Sequence, residues 1–185
     1  MTMRYKYPIV CDRQIFDFFE LLEGFRSHPY RDKYTFWTIG IGHNLTQNPL
    51  PNYIKAMFWP PKDEDDKLPN NEEAFELMKK NGITIHQARY ILNDDIVNDD
   101  LKLHRNFPNY EKITDEIRQI ALLYMCFNLG FIGLKGFRKF CAAFSRKKYE
   151  NAADEIVNSN WYKQIPRAAK CIEHMIRSNE IPPVD

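Results

Sequence analysis

Apolar residues Ile15, Phe18, Phe19, Leu22 and Phe25 recur at helical spacing after Asp12, a residue suited to N-capping. They predict a first helix over residues 12–24, stopped by Gly24 in a left-handed conformation. The period then changes. Tyr34, Phe36, Trp37, Ile39 and Ile41 favour strand, so residues 30–43 read as a short hairpin or small sheet. Gly40 and Gly42 alternate with the isoleucines and leave one strand face bare, open to another chain or a ligand. Residues 1–11 read as an arm. Residues 46–82, broken by five prolines and the charge run Lys62–Lys67, read as a surface loop.

Helical spacing resumes after Thr84, with Ala88, Ile91, Leu92, Ile96 and Leu101 predicting a long helix to about Arg105. Its polar side carries Asp94, Asp95, Asp99 and Asp100, which lack the glycine turn and glutamate of a calcium loop and read as a solvated face. A further helix begins at Thr114 and closes at Gly130, and shorter ones follow near 134–146, 149–158 and 166–178. Helices outnumber strands after the hairpin, so the fold class is α+β, mainly α, within one chain of 185 residues.

Composition narrows the function. Hydrophobic residues make up 44% of the chain, enough for a core. No run of about 18 apolar residues is found, so no transmembrane helix is expected, and no apolar segment follows the basic N-terminus as a signal peptide would require. Cys11, Cys126, Cys141 and Cys171 are scattered without a C-x-x-C pair, so they read as reduced, mostly buried residues rather than metal ligands. The expectation is a protein folded in the cytoplasm and delivered to any outside target by another system. Formal net charge is only +1, yet residues 135–170 hold nine Lys/Arg against three acids. A basic surface there would suit an anionic polymer. A nucleic-acid binder is disfavoured, because no binding motif and no whole-chain basicity accompany it.

The candidate chemistry lies where the first helix meets the hairpin. Glu23 sits at the negative end of the helix dipole, among aromatic residues, a setting that favours its protonated form. Asp32, nine residues later, stands between basic and polar neighbours. Two carboxyl groups in contrasting settings are what an acid paired with a charge stabiliser or base requires, and glycosidic cleavage uses such a pair.

The strings Glu23-Gly24-Phe25-Arg26, Tyr30-Arg31-Asp32 and Trp37-Thr38-Ile39-Gly40-Ile41-Gly42-His43 resemble the T-even bacteriophage lysozymes of glycoside hydrolase family 24. The intervals match: nine from Glu to Asp, six from Asp to Thr, five from Thr to His. Ile83-Thr84, Phe127-Asn128-Leu129-Gly130, Gly136-Phe137 and the Trp161 to Ala168 segment extend the resemblance over about residues 12–178, with 46–82 unaligned. One departure is the turn after Asp32, where the family often has glycine and this chain has none.

The resemblance implies a lobe over 12–83, a linking helix over 84–106 and a helical lobe over 107–185, with substrate in a cleft between the lobes. It implies a monomeric hydrolase, without cofactor or metal, acting on peptidoglycan, with neither specific nucleic-acid binding nor membrane insertion. Glu23 would be the general acid, with Asp32 and Thr38 positioning water. His43 would organise the hairpin side of the substrate site. His43, Asn44, Phe127 and Asn128 would bind substrate, and Arg167 would stand near the arginine that pairs with the acid. Phe140 and Glu155 replace a family serine and asparagine and are not carried over. A phage endolysin is the default reading. The rival from another class is a lysozyme-like module that binds peptidoglycan without cutting it, which the joint presence of Glu23, Asp32 and Thr38 disfavours.

Overall fold

The computed structural model describes residues 13–63 and 65–183. The expected arm, the Asp12 cap and Cys11 lie outside them. Two units divide inside a long helix, one over residues 1–95 and one over 96–185.

In the first unit, helix α1 (Arg13–Glu23) buries Ile15, Phe18 and Phe19 at the spacing the sequence shows. Its charged side is fastened to Arg89, which bonds Asp17 at 3.0 Å and Glu20 at 2.9 Å. Gly24, at φ +74°, ends the helix and turns the chain into strand β1 (Arg26–Arg31). Strands β2 (Trp37–Gly40) and β3 (His43–Asn44) complete an antiparallel sheet of order β1-β2-β3.

β1 starts earlier than expected. Pro29 and its polar neighbours conceal a strand, but β1 is an edge strand with an irregular register between Arg26 and Tyr30, where a residue without an N–H is tolerated. Tyr34 and Ile41, expected in strands, fall in turns. The Gly40 face is not open to a ligand either. Gly40 has φ +64°, and a Cβ there would meet the Ala88 methyl at 3.1 Å, so a helix occupies that approach.

The expected loop over 46–82 contains two helices, α2 (Asn52–Phe58) and α3 (Asn71–Asn81). α3 opens with a capping box: the Asn70 side chain accepts from Glu72 and Glu73 N–H, and the Glu73 carboxylate accepts from Asn70 N–H. Between the helices, Asp63 Oδ1 accepts from the backbone of Asp65 and Asp66, folding the charge run into a turn. Prolines flank these elements rather than break them; Pro51 precedes α2, where a missing N–H costs nothing.

Helix α4 (Ile85–Asn106) starts at a reciprocal Thr84–Gln87 cap. Its aspartates are not the solvated face expected. Asp95 bonds His43 at 2.7 Å and Asp94 accepts from Tyr53 Oη. Asp99 is buried beside Lys102, and Asp100 accepts from Tyr110 Oη at 2.6 Å.

The second unit is helical: α5 (Glu116–Gly136), α6 (Arg138–Phe144), α7 (Tyr149–Val157), α8 (Asn160–Gln164) and α9 (Pro166–Ser178). Asp115, not Thr114, holds the cap position of α5. Gly130 (φ 68°, ψ 157°) breaks the helical path where the sequence reading ended it, and a second helical stretch continues to Gly136. By length and composition α5 is apolar enough to cross a membrane, where the sequence reading expected no such helix. Here its run Ile120–Cys126 is wholly buried, as a core helix would be. Phe140 and Phe144 pack beside it, with ring centroids 5.4 Å apart. α8, not foreseen, opens with Ser159 accepting from Tyr162 N–H.

Candidate active site

Glu23 is the last residue of α1 and is half-buried. Gly24 must follow it in the left-handed region. A Cβ at Gly24 would meet nothing within 4 Å, so the demand for glycine is conformational rather than steric.

Asp32 anchors the hairpin turn. Its Oδ1 accepts from Tyr34 N–H and Phe36 N–H, each at 2.8 Å, while its backbone pairs with Phe36 and Thr35 at 2.9 Å. The second oxygen, Oδ2, takes no part in the turn. Thr35, in this glycine-free turn, adopts φ +68°. For a β-branched residue this conformation is strained. Arg31 donates to the Thr35 carbonyl and stacks over Trp37 at 4.2 Å, which holds the turn despite that strain.

Thr38 lies opposite Tyr30 on one side and Asn44 on the other. Directly paired residues share a sheet face, so these three form a row across it. Thr38 is 4% exposed, and its hydroxyl reaches the Phe36 carbonyl only at 3.4 Å. Such a shielded hydroxyl competes little with bulk water. Asn44 Oδ1 accepts from Gln47 N–H at 3.0 Å, which fixes its side chain.

Tyr30 was passed over by the sequence reading, although it stands in the quoted Tyr-Arg-Asp triplet. Its phenol is raised above the usual value, first by burial. Arg26 opposes the rise, and the charges of Glu23 and Asp32 add to it. One hydroxyl thus senses both carboxyl groups, while the Arg26 guanidinium lies 4.5 Å from its ring centroid.

His43 is 5% exposed, and both ring nitrogens are engaged: Nδ1 with Asp95 at 2.7 Å and Nε2 with the Asn48 carbonyl at 2.8 Å. A carbonyl can only accept, so Nε2 carries a proton. Burial pulls the imidazole pKa down, but the Asp95 charge and hydrogen bond more than offset it and the pKa rises. With both nitrogens bound, His43 organises the hairpin and offers no nitrogen to a ligand.

In the second unit, Phe127 is half-buried and Asn128 is exposed near the end of the first stretch of α5. Trp161 Nε1 donates to Asn128 Oδ1 at 2.8 Å. Arg167 is exposed in the first turn of α9, near Cys171. Phe140 is a core residue. Burial pushes the Cys141 and Cys171 thiols up to about 11 and that of Cys126 higher still, the wrong direction for a nucleophile.

The chain matches the phage lysozyme family over residues 20–177. It is 23% identical to a protein named probable T4-type lysozyme 1 of Dictyostelium discoideum, covering 86% of this chain and 91% of the relative. Probable T4-type lysozyme 2 of the same organism is 26% identical over 78% of this chain and 82% of its own length. The pre-baseplate central spike protein Gp5 of Enterobacteria phage T4 is 25% identical over 86% of this chain but only 27% of its own. With a family match across most of its length, this chain belongs to the phage lysozyme family.

Proposed function

We propose that the protein is a muramidase that hydrolyses the β-1,4 bond between N-acetylmuramic acid and N-acetylglucosamine in bacterial peptidoglycan. The observation that carries this reading is the pair Glu23 and Asp32, set at the two ends of strand β1 and held by different means. Glu23 closes a helix, whereas Asp32 is tied by one oxygen to a turn.

In this reaction Glu23 protonates the leaving sugar oxygen. Asp32 Oδ2 and Thr38 Oγ1 hold the attacking water on the opposite face of the ring. Tyr30 and Arg26 keep the carboxyl groups in place. An inverting route of this kind separates the carboxyl groups by about 6.5–9.5 Å, leaving room for the water. The enzyme reaches the wall after release from the cell that made it or after delivery by another system.

The test is digestion of purified peptidoglycan. Fragments with reducing-end N-acetylmuramic acid are expected by mass spectrometry, with the inverted α-anomer seen by proton NMR before mutarotation. Anhydro sugars would identify a transglycosylase instead. A retained β-anomer would remove Asp32 from its role beside the water.

A further inference from the structure

Between Glu116 and Glu150 the chain carries no Asp or Glu. Its cations there are Arg118, bonded to Asp115 at the start of α5, then Lys135, Arg138, Lys139 and the run Arg146–Lys148. The last six are exposed, and none forms an ion pair among the described residues. Acids on the neighbouring elements are committed elsewhere or balanced. On α7, Glu150 and Asp154 are both held by Arg177, and Glu155 is half-buried. Asp99, near Cys126, is buried and bonded to Lys102. In the turn beside the end of α6, where Asn109 donates to the Ser145 carbonyl, Glu111 is followed by Lys112.

α6 has two distinct sides. Phe140 and Phe144 point into the core, while Arg138, Lys139 and Ala142 are exposed on the opposite side. Arg146–Lys148 follow in the turn that ends the helix. The N–H groups of Lys147 and Lys148 bond the Phe144 and Ala143 carbonyls at 2.9 and 3.0 Å, which fixes that turn. Before α6, the second stretch of α5 carries Ile132. It is 81% exposed, the most exposed large apolar side chain among the described residues. Lys135 stands three residues on, so the two are neighbours on the helix surface. Gly136 stands one turn beyond Ile132, and a Cβ there would meet nothing within 4 Å, so that flank of the isoleucine is open. Only Gly136 and Phe137 separate Lys135 from Arg138.

Six uncommitted cations therefore adjoin one apolar side chain that stands out into solvent. Cations alone suit any polyanion. The isoleucine narrows the choice. On a nucleic-acid backbone it has nothing to bury against, and the aromatic rings of residues 117–149 are buried or half-buried, leaving no open platform for bases. At a bilayer of anionic lipid the cations meet headgroup phosphates and the isoleucine enters the boundary with the acyl chains.

We propose that this face, from Ile132 across α6 to Lys148, docks on a membrane surface rich in anionic phospholipid. The docking is peripheral: the apolar run Ile120–Cys126 stays in the core. It does not depend on the wall-cleavage reading.

The experiment is co-sedimentation of the full chain with vesicles of phosphatidylcholine holding about 30% phosphatidylglycerol, against vesicles of phosphatidylcholine alone. Binding to the anionic vesicles is expected, at least about tenfold tighter than to the neutral ones and weaker as salt is added. Lys139→Glu should weaken it at least about fivefold, the scale of one cation near an anionic surface. Ile132→Ser should weaken it by at least about fivefold too, but with the salt dependence unchanged, because apolar burial is lost and no charge is. Lys80→Glu, at an exposed cation of α3, should leave binding as it was. All three side chains are exposed, and thermal midpoints report whether the variants keep their fold.

No binding to anionic vesicles at about 1 mM lipid, or equal binding to both vesicle types, overturns the proposal. Wild-type binding by Ile132→Ser would reduce the face to a general polyanion surface and overturns it as well. An equal loss in Lys80→Glu would mean that net charge alone is felt. Binding to a duplex oligonucleotide as tight as to the anionic vesicles would replace the membrane with nucleic acid.

Discussion

The two units are held together by different physics. The first, with 12 Lys/Arg against 14 Asp/Glu, is cross-linked by polar bonds between residues far apart in sequence: Arg89 with Asp17 and Glu20, His43 with Asp95, Lys55 with Asn71. The second, with 14 Lys/Arg against 11 Asp/Glu, is built on the buried apolar run Ile120–Cys126 of α5 and a cluster of aromatic rings. Directional bonds fix where side chains point, whereas apolar burial supplies most of the net stability. Both units have such bonds, Arg118 with the Ile176 carbonyl and Trp161 with Asn128 in the second, but the second adds the larger apolar core, and the candidate carboxyl pair lies in the first. Substitutions in the first unit should therefore cost function or pH behaviour, and core substitutions in the second should cost stability.

The largest effect that sharpens this contrast is expected from Glu23→Gln. It keeps shape and hydrogen bonding but removes the transferable proton, so wall cleavage should fall by at least ~10²–10⁴ with the thermal midpoint little changed. Substantial residual cleavage would remove Glu23 as the acid. Phe144→Ala should do the reverse. Phe144 is fully buried, and its loss should cost about 3–5 kcal/mol in urea denaturation.

Asp95→Asn tests whether the polar bonds carry energy as well as direction. His43 has its folded pKa raised above the ordinary 6.5. The His43–Asp95 contribution is then fully present below about pH 6.5, while Asp95 stays ionised, and is lost as pH rises through the folded pKa. Removing the anion should cost about 3 kcal/mol near pH 6. Burial then acts on His43 without its partner, so the variant should gain stability as pH rises where the wild type loses it. Urea midpoints at pH 5.5 and 9 separate the two. The smallest effect is Thr35→Gly, which should stabilise by about 1 kcal/mol by relieving the left-handed threonine. A loss of stability would mean that the Thr35 side chain makes up for its own backbone.

These contrasts also explain what could be read in advance. α1, Gly24 and the β2 strand were legible because their signals are local: a periodic apolar face, a stop residue, a β-branched run. The site residues were named through motif spacing, yet Tyr30 was overlooked, because its coupling to Glu23 and Asp32 exists only once β1 is folded back. The four α4 aspartates were misread for a similar reason. Their partners His43, Tyr53 and Tyr110 lie outside any local window, and only Lys102 is a near neighbour. α3 is the instructive miss. Its capping pair Asn70 and Glu73 and its terminator Gly82 were all present in the sequence, but prolines and charges nearby outweighed them.

Arg118, in the first turn of α5, donates to the carbonyls of Ile176 at 2.8 Å and Arg177 at 3.0 Å while its guanidinium lies 3.9 Å from the Tyr149 ring centroid. The end of α9 is thereby buttoned to the start of α5, so this part of the chain behaves as a closed loop rather than a rod with a loose tail. Trimming the chain before Ile176 would open that loop and leave the Arg118 guanidinium, only 13% exposed, with Asp115 and the Tyr149 ring as its remaining partners. Changes to the residues that follow Arg177 leave both of those carbonyls, and so the clasp, in place.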